Sequence, residues 1–234
     1  MTTTPHTPEK TPLWFSRAGA RAVDHAAANE LMIPGILLME HAAIALRDAA
    51  LTILRGTDGP VCIVCGTGNN GGDGYALARL LHVAGVPVNI VAAHPTDGLT
   101  GDAATNARAA RMLGLPIRTN GALDAHATLI VDALLGTGLA GPVRSGIASL
   151  INAINDTGSP VLAVDIPSGL DADTGRPLGA TVTASTTMTF CGMKNGFADP
   201  ASRRYTGRVR VAPIGVPASL LERFGTPAAE RTDT

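Results

Sequence analysis

Five consecutive apolar residues, Val61 to Cys65, run directly into Gly66-Thr67-Gly68-Asn69-Asn70-Gly71-Gly72-Asp73-Gly74, and an amphipathic stretch follows. A strand that is apolar at every position is buried on both faces, the condition of an inner strand in a parallel sheet. Five glycines in nine residues sacrifice backbone entropy and side-chain packing. That is tolerated where the chain needs positive φ or must let a ligand touch its backbone. The helix that follows offers unpaired N–H groups to an anion such as a phosphate. A strand, a polar glycine turn and a helix in this order make a ligand-binding junction.

The pattern recurs. Apolar strand-like runs occur at Val88 to Ala92, Leu129 to Leu134 and Val161 to Val164, with helical periodicity between several of them. One helix places Leu77, Leu80, Leu81 and Ala84 on a single face, and a later one does the same with Ile147, Leu150, Ile151 and Ile154. Alternating β and α elements predict an α/β fold with a mainly parallel, doubly wound sheet. A helix pair precedes it, broken at Ile33-Pro34-Gly35, and is expected to pack on the sheet. Thr181 to Phe190 and Arg208 to Ala212 are able to extend the sheet. A single domain spanning residues 13–217 is expected. Residues 1–12, rich in Thr and Pro and without an apolar core, read as a disordered tail and not a secretion signal. Order is also expected to fade over 218–234.

With 45% hydrophobic and 16% charged residues in 234, the chain has material for a substantial core. A net charge of −1 and 3% aromatic residues lack the basic footprint and stacking platforms of a nucleic-acid binder. The longest apolar stretches are interrupted by Pro34, Glu40 and His41, or by Asp132, so no membrane span is expected. A soluble, cytoplasmic protein acting on a small molecule is the reading. Three cysteines make no disulfide framework. Cys62 and Cys65 form C-x-x-C, but on a strand they point to opposite faces, so both read as core residues. The six histidines contain no H-x-x-x-H pair, which argues against zinc and leaves His25, His41 and the rest as surface or packing residues.

In open parallel sheets ligands bind at the carboxyl ends of the strands, and three polar motifs lie at such ends. They are the glycine turn, the run Asp132 to Pro142, and Asp165-Ile166-Pro167-Ser168-Gly169-Leu170-Asp171. Gly66, Gly68 and Gly71 formally satisfy G-x-G-x-x-G. The ribose-binding acid about 20 residues on is missing, since the second strand leads to Ala92-Ala93-His94 and the first acid is Asp97. This demotes an ordinary dehydrogenase, and without Gly-Lys-Ser/Thr there is no P-loop. Asp132 and Asp165 directly follow apolar runs, so each either braces a loop or is functional. Spacing alone makes Ser168 an N-cap, and Asp73 an N-cap that also contacts ligand. Asn70 offers an amide to a hard cation or a phosphate, or else serves turn geometry. Lys194 reads as an exposed loop lysine, with contact to an anionic ligand as the alternative.

Taken in order, Arg21-Ala22-Val23-Asp24, Leu38-Met39-Glu40-His41-Ala42-Ala43, the glycine turn, the Asp132 loop, the Asp165 loop and the Thr189-Phe190…Lys194-Asn195-Gly196 segment resemble the NAD(P)H-hydrate epimerase family. The resemblance implies a three-layer Rossmann-like fold. It also implies interconversion of the R and S epimers of hydrated NADH and NADPH (NADHX and NADPHX), in which water has added to the nicotinamide ring. Carried over by motif, Asn69, Asn70, Gly71, Gly72 and Asp73, with Gly136, Thr137, Gly138, Leu139, Ala140, Gly141 and Pro142, would bind substrate. Asp165 would stand beside the hydrated ring as acid/base. Asn70, Asp132 and Ser168 would be ligands of one potassium ion per subunit, an oxygen set suited to a hard cation. A homodimer and a separate NAD(P)HX dehydratase in the same pathway belong to the same implication. The rival is a non-catalytic nucleotide-binding or scaffold protein on the same fold.

Overall fold

The computed structural model of the chain describes residues 12–119 and 123–228. In order, the elements are β1 (Leu13–Phe15), α1 (Arg17–Glu30), α2 (Gly35–Ile53), β2 (Val61–Cys65), α3 (Asn69–Val83), β3 (Val88–Ala92), α4 (Gly101–Met112), β4 (Ile117–Arg118), β5 (Leu129–Ala133), α5 (Ser145–Asp156), β6 (Val161–Val164), β7 (Thr186–Phe190), β8 (Met193–Lys194), α6 (Arg203–Thr206), β9 (Arg208–Ala212), α7 (Ala218–Phe224) and β10 (Thr226–Pro227). Seven strands form one sheet in the order β4-β3-β2-β5-β6-β7-β9, parallel throughout.

Strand parity builds the layers. Val61, Ile63 and Cys65 of β2 join the core formed with α2, α3 and α4, whereas Cys62 and Val64 join the one formed with α5. Successive side chains on a strand point to opposite faces, so β2 is buried at all five positions and both cysteines are core residues. Leu77 and Leu81 of α3, and Leu150, Ile151 and Ile154 of α5, are buried, while Leu80 and Ile147 are half-buried at the margins and Ala84 lies exposed past the end of α3. Helices on both faces of a parallel sheet make the three-layer doubly wound fold. No helix among the described residues is long and apolar enough to cross a membrane.

A second, three-stranded sheet has the order β10-β1-β8, with β1 antiparallel to β10 and parallel to β8. It holds a departure from expectation. Residues 218–228, expected to lose order, form α7 and β10 because Leu220 buries to 2% exposure, α7 packs along α1 and Arg223 reaches Glu30 at 2.6 Å. Pro217 opens α7 as its N-cap. The tail residues 1–11 and 229–234 lie outside the described residues.

Candidate active site

From β2 the chain winds outward through β3 and β4, then returns to place β5 on the other side of β2. The strand order reverses between β2 and β5, and there the loops beyond the carboxyl ends part to leave a crevice. A cavity of about 700 Å³ opens at this point. Its lining includes Asn69, Asn70, Asp73, Gly136, Thr137, Gly138, Leu139, Ala140, Pro142 and Asp165 among the expected residues, together with Asp24, Cys191 and Lys194. Gly71, Gly72 and Gly141 are not part of its surface.

The glycine segment is mostly helix. α3 begins at Asn69 with Gly68 as its N-cap, so Asp73 stands inside the helix and is not the cap that spacing suggested. None of the five glycines has positive φ; close approach requires them instead. A Cβ on Gly66 would fall 1.9 Å from the carbonyl oxygen of Leu134, and one on Gly71 would fall 2.1 Å from that of Gly66. Without side chains there, α3 seats its N-terminus on the ends of β2 and β5. No side chain caps that end, which leaves first-turn N–H groups for a ligand. Asn70 and Asp73, one turn apart, are both 9% exposed. The Asn70 Nδ2 is buried with no hydrogen-bond partner among the described residues. Burial, and then the charges of Asp165 and Asp24, hold the Asp73 carboxyl well above the usual range.

Asp132, in β5, is fully buried. Its partner is Ser168, which does not cap a helix: the hydroxyl donates to Asp132 Oδ1 at 2.6 Å and the backbone N–H donates to Oδ2 at 2.8 Å. The Leu135 N–H donates to the Ser168 hydroxyl at 2.8 Å. Burial pushes the Asp132 carboxyl up to about 6, against the pull of these bonds, and no cationic side chain pairs with it among the described residues. Asn70 lies against the same loop, since a Cβ on Gly136 would stand 3.1 Å from Asn70 Oδ1. The buried Asp132 carboxylate and the Ser168 hydroxyl thus meet at adjoining strand ends, with the Asn70 amide against the Gly136 loop that follows β5.

Asp165 follows β6 with φ 63°, in the left-handed region, and Cys191 repeats the geometry after β7 with φ 65°. Each is the centre of a three-residue turn, closed by Ile166 N–H to the Val164 carbonyl and by Gly192 N–H to the Phe190 carbonyl, both at 2.7 Å. Such turns are strained. The first aims Asp165 into the cavity; the second reverses the chain so that β8 returns alongside β1. Lys194 is consequently buried at 2% exposure, contrary to the exposed loop residue expected. Its Nζ lies 2.7 Å from Asp165 Oδ1, 2.8 Å from Thr189 Oγ1 and 3.2 Å from the Phe190 carbonyl. Thr189 donates to the same Oδ1 at 3.1 Å.

Residues 35–196 match the family model described as YjeF-related protein N-terminus. The NAD(P)H-hydrate epimerase of Rhodopirellula baltica is 41% identical over 210 residues, covering 87% of this chain and 85% of that protein. That of Limosilactobacillus fermentum is 40% identical over 198 residues, 85% of this chain and 95% of its own. The chain belongs to the NAD(P)H-hydrate epimerase family. The crystal structure of yeast ynu0 has the same fold, with a TM-score of 0.76 over 94% of this chain and 96% of that one at 20% identity.

Residues 35–196, matched by the family model, carry all three expected loops and Lys194, and α1 lies before them. From α1 come two groups to which residue-by-residue reading assigned no role. Arg21 Nη2 donates to the Gly138 carbonyl at 3.5 Å, and Asp24 stands in the cavity beside it. Although Asp24 as a residue is exposed, its carboxyl is pushed up to about 6, first by the surrounding protein and then by the charge of Asp165, with Lys194 opposing. In the sequence Asp24 stands only within the Arg21 to Asp24 stretch that resembles the family, with no role attached to it. Lys194 left a faint signal, as a lone charge in the stretch Thr187 to Phe197.

Proposed function

We propose that this protein interconverts the R and S epimers of NADHX and NADPHX, with Asp165 as an acid/base. The reading rests on one observation above the rest: Asp165, held in a strained turn, meets Lys194 at the cavity where the three strand-end loops converge. Curated relatives about 40% identical over most of the chain bear the name of this activity.

The hydrated carbon carries a hydroxyl and the ring nitrogen. It can expel the hydroxyl to leave an iminium, or the ring can open to an aldehyde; reclosure from the other face inverts it. Either route needs proton transfer, which a positioned carboxyl accelerates by about 10² to 10⁴. The hydrogen bonds and ion pair of Asp165 all fall on Oδ1, which leaves Oδ2 to exchange the proton. The nucleotide phosphates suit the N-terminus of α3, formed by Asn69 to Asp73, and the Gly136 to Pro142 loop closes over them.

Potassium fits the donor set. Asn70 presents its amide oxygen at the Gly136 loop, and the buried Asp132 carboxylate with the Ser168 hydroxyl supplies hard oxygens. Asn70, Asp132 and Ser168 would hold one ion per subunit. When bound, it supplies positive charge that compensates Asp132 and ties the three loops together. A homodimer, a cytoplasmic location and a separate dehydratase in the same pathway complete the reading.

The test is chromatographic. Pure R or S NADHX, sampled faster than it epimerises unaided, should approach the epimer equilibrium more quickly with the protein and at the background rate with Asp165→Asn. Background rates with folded, nucleotide-binding wild-type protein would favour the non-catalytic binding module.

A further inference from the structure

Epimerisation sends water away from one face of the ring and brings it back on the other. A group that protonates the departing oxygen is therefore on the wrong side to take the proton from water arriving opposite. Asp165 enters the cavity from the end of β6. Asp24, on α1, lines the same cavity, and its neighbour Val23, buried at 1% exposure, anchors the helix.

We propose that Asp24 is a second catalytic carboxyl group, which shares one proton with Asp165 and exchanges it with the substrate oxygen from the α1 side of the cavity. This rests on the epimerase reading above. In the step, the Asp24 O–H bond breaks as its proton passes to the ring hydroxyl. The carbon–oxygen bond breaks with both electrons leaving on water, and the nitrogen lone pair forms the iminium. Water then adds from the opposite face and gives its proton to the Asp165 carboxylate; the reverse reaction exchanges the two roles.

Three observations support it. The Asp24 carboxylate has no hydrogen bond or ion pair among the described residues, so nothing structural consumes it. It is close enough to Asp165 and Lys194 for their charges to move its titration, and it in turn acts on Cys191 and Asp73, which also line the cavity. Of the charged groups around it, Asp165, Asp73 and Lys194 come from other elements and Arg21 from its own helix. Its position near 6 suits a group that must both give and take a proton near neutral pH.

The experiment follows epimerisation of R-NADHX against pH for the wild type, Asp24→Asn and Asp165→Asn. Asp24→Asn should lower kcat by about 10²-fold or more with KM changed less than about threefold, and erase the limb of the kcat/KM profile centred near 6. An Asp24→Asn protein that keeps kcat within about threefold and retains that limb overturns the proposal while leaving the epimerase reading intact. A wild type without acceleration overturns both. Should Asp24→Asn not fold, carboxyl carbon NMR on the wild type and Asp165→Asn decides: the Asp24 midpoint should fall when the Asp165 charge is removed, and an unchanged midpoint sinks the shared proton.

Discussion

Lys194 Nζ lies 2.7 Å from Asp165 Oδ1, with the two side chains only 3% and 15% exposed. The pair joins two sheets. Asp165 directly follows β6 of the seven-stranded sheet, whereas Lys194 lies on β8, which pairs with β1 through Phe15. The small sheet, braced by β10, thus sets where the ammonium stands, and a segment expected to be a disordered tail helps to hold a side chain of the candidate active site.

Removing one partner of a buried pair strands the other. Lys194→Met should destabilise the fold by about 3 kcal/mol, and the Asp165→Asn/Lys194→Met double variant should lose clearly less than the sum of the two single losses. Urea unfolding of all four proteins measures the coupling. Additive losses would mean that the contact is energetically idle.

The left-handed backbone at Cys191 reverses an ordinary ranking. Within a helix or strand glycine is about 0.5–1 kcal/mol less favourable than alanine. A left-handed site penalises any Cβ by about 1–2 kcal/mol, so Cys191→Gly should be at least as stable as Cys191→Ala. Cys191→Val should be the least stable of the three, because a branched Cβ fits this region worst. Thermal midpoints of the three variants decide the order.

Asp132 makes stability depend on pH and salt. Burial raises its folded value from the usual 3.8 to about 6, so its contribution is fully present below about 4 and is lost as pH rises through 6. The difference of roughly two units corresponds to about 3 kcal/mol. A cation beside the carboxylate offsets that loss. Potassium chloride should raise the thermal midpoint over choline chloride of equal ionic strength at pH 8, with the gap closing at pH 5. Equal midpoints at pH 8 would remove the potassium site.

Two glycines at the start of α3, Gly68 at its N-cap and Gly71 in its first turn, should differ sharply. Gly71→Ala drives a Cβ against the Gly66 carbonyl, backbone against backbone, whereas Gly68 faces open space with negative φ. The first should cost about 1–3 kcal/mol and weaken nucleotide binding. The second should change stability by less than about 1 kcal/mol. Unfolding midpoints and NADH titrations of both variants provide the check.

Local pattern in the chain was enough to determine the strands β2, β3, β5 and β6, their burial on both faces, the break at Pro34, and the three polar loops at strand ends. Hydrophobic periodicity records which side of one element is buried, and that information is local. What meets across the site is not. Ser168 and Asp73 both read as caps by spacing; sheet order brings Ser168 onto Asp132, and the glycines let α3 begin early enough to carry Asp73 within it. Lys194 read as exposed because its burial depends on a left-handed turn at Cys191 and on pairing with Phe15, a strand residue 179 positions earlier in the chain. Asp24 entered only as part of the Arg21 to Asp24 stretch that carries the resemblance, with nothing to mark its role, for its environment is made by Asp165 and Lys194 from elements far along the chain. Charge interactions act through space and packing acts through topology, so the tertiary structure alone decided which acids share the cavity.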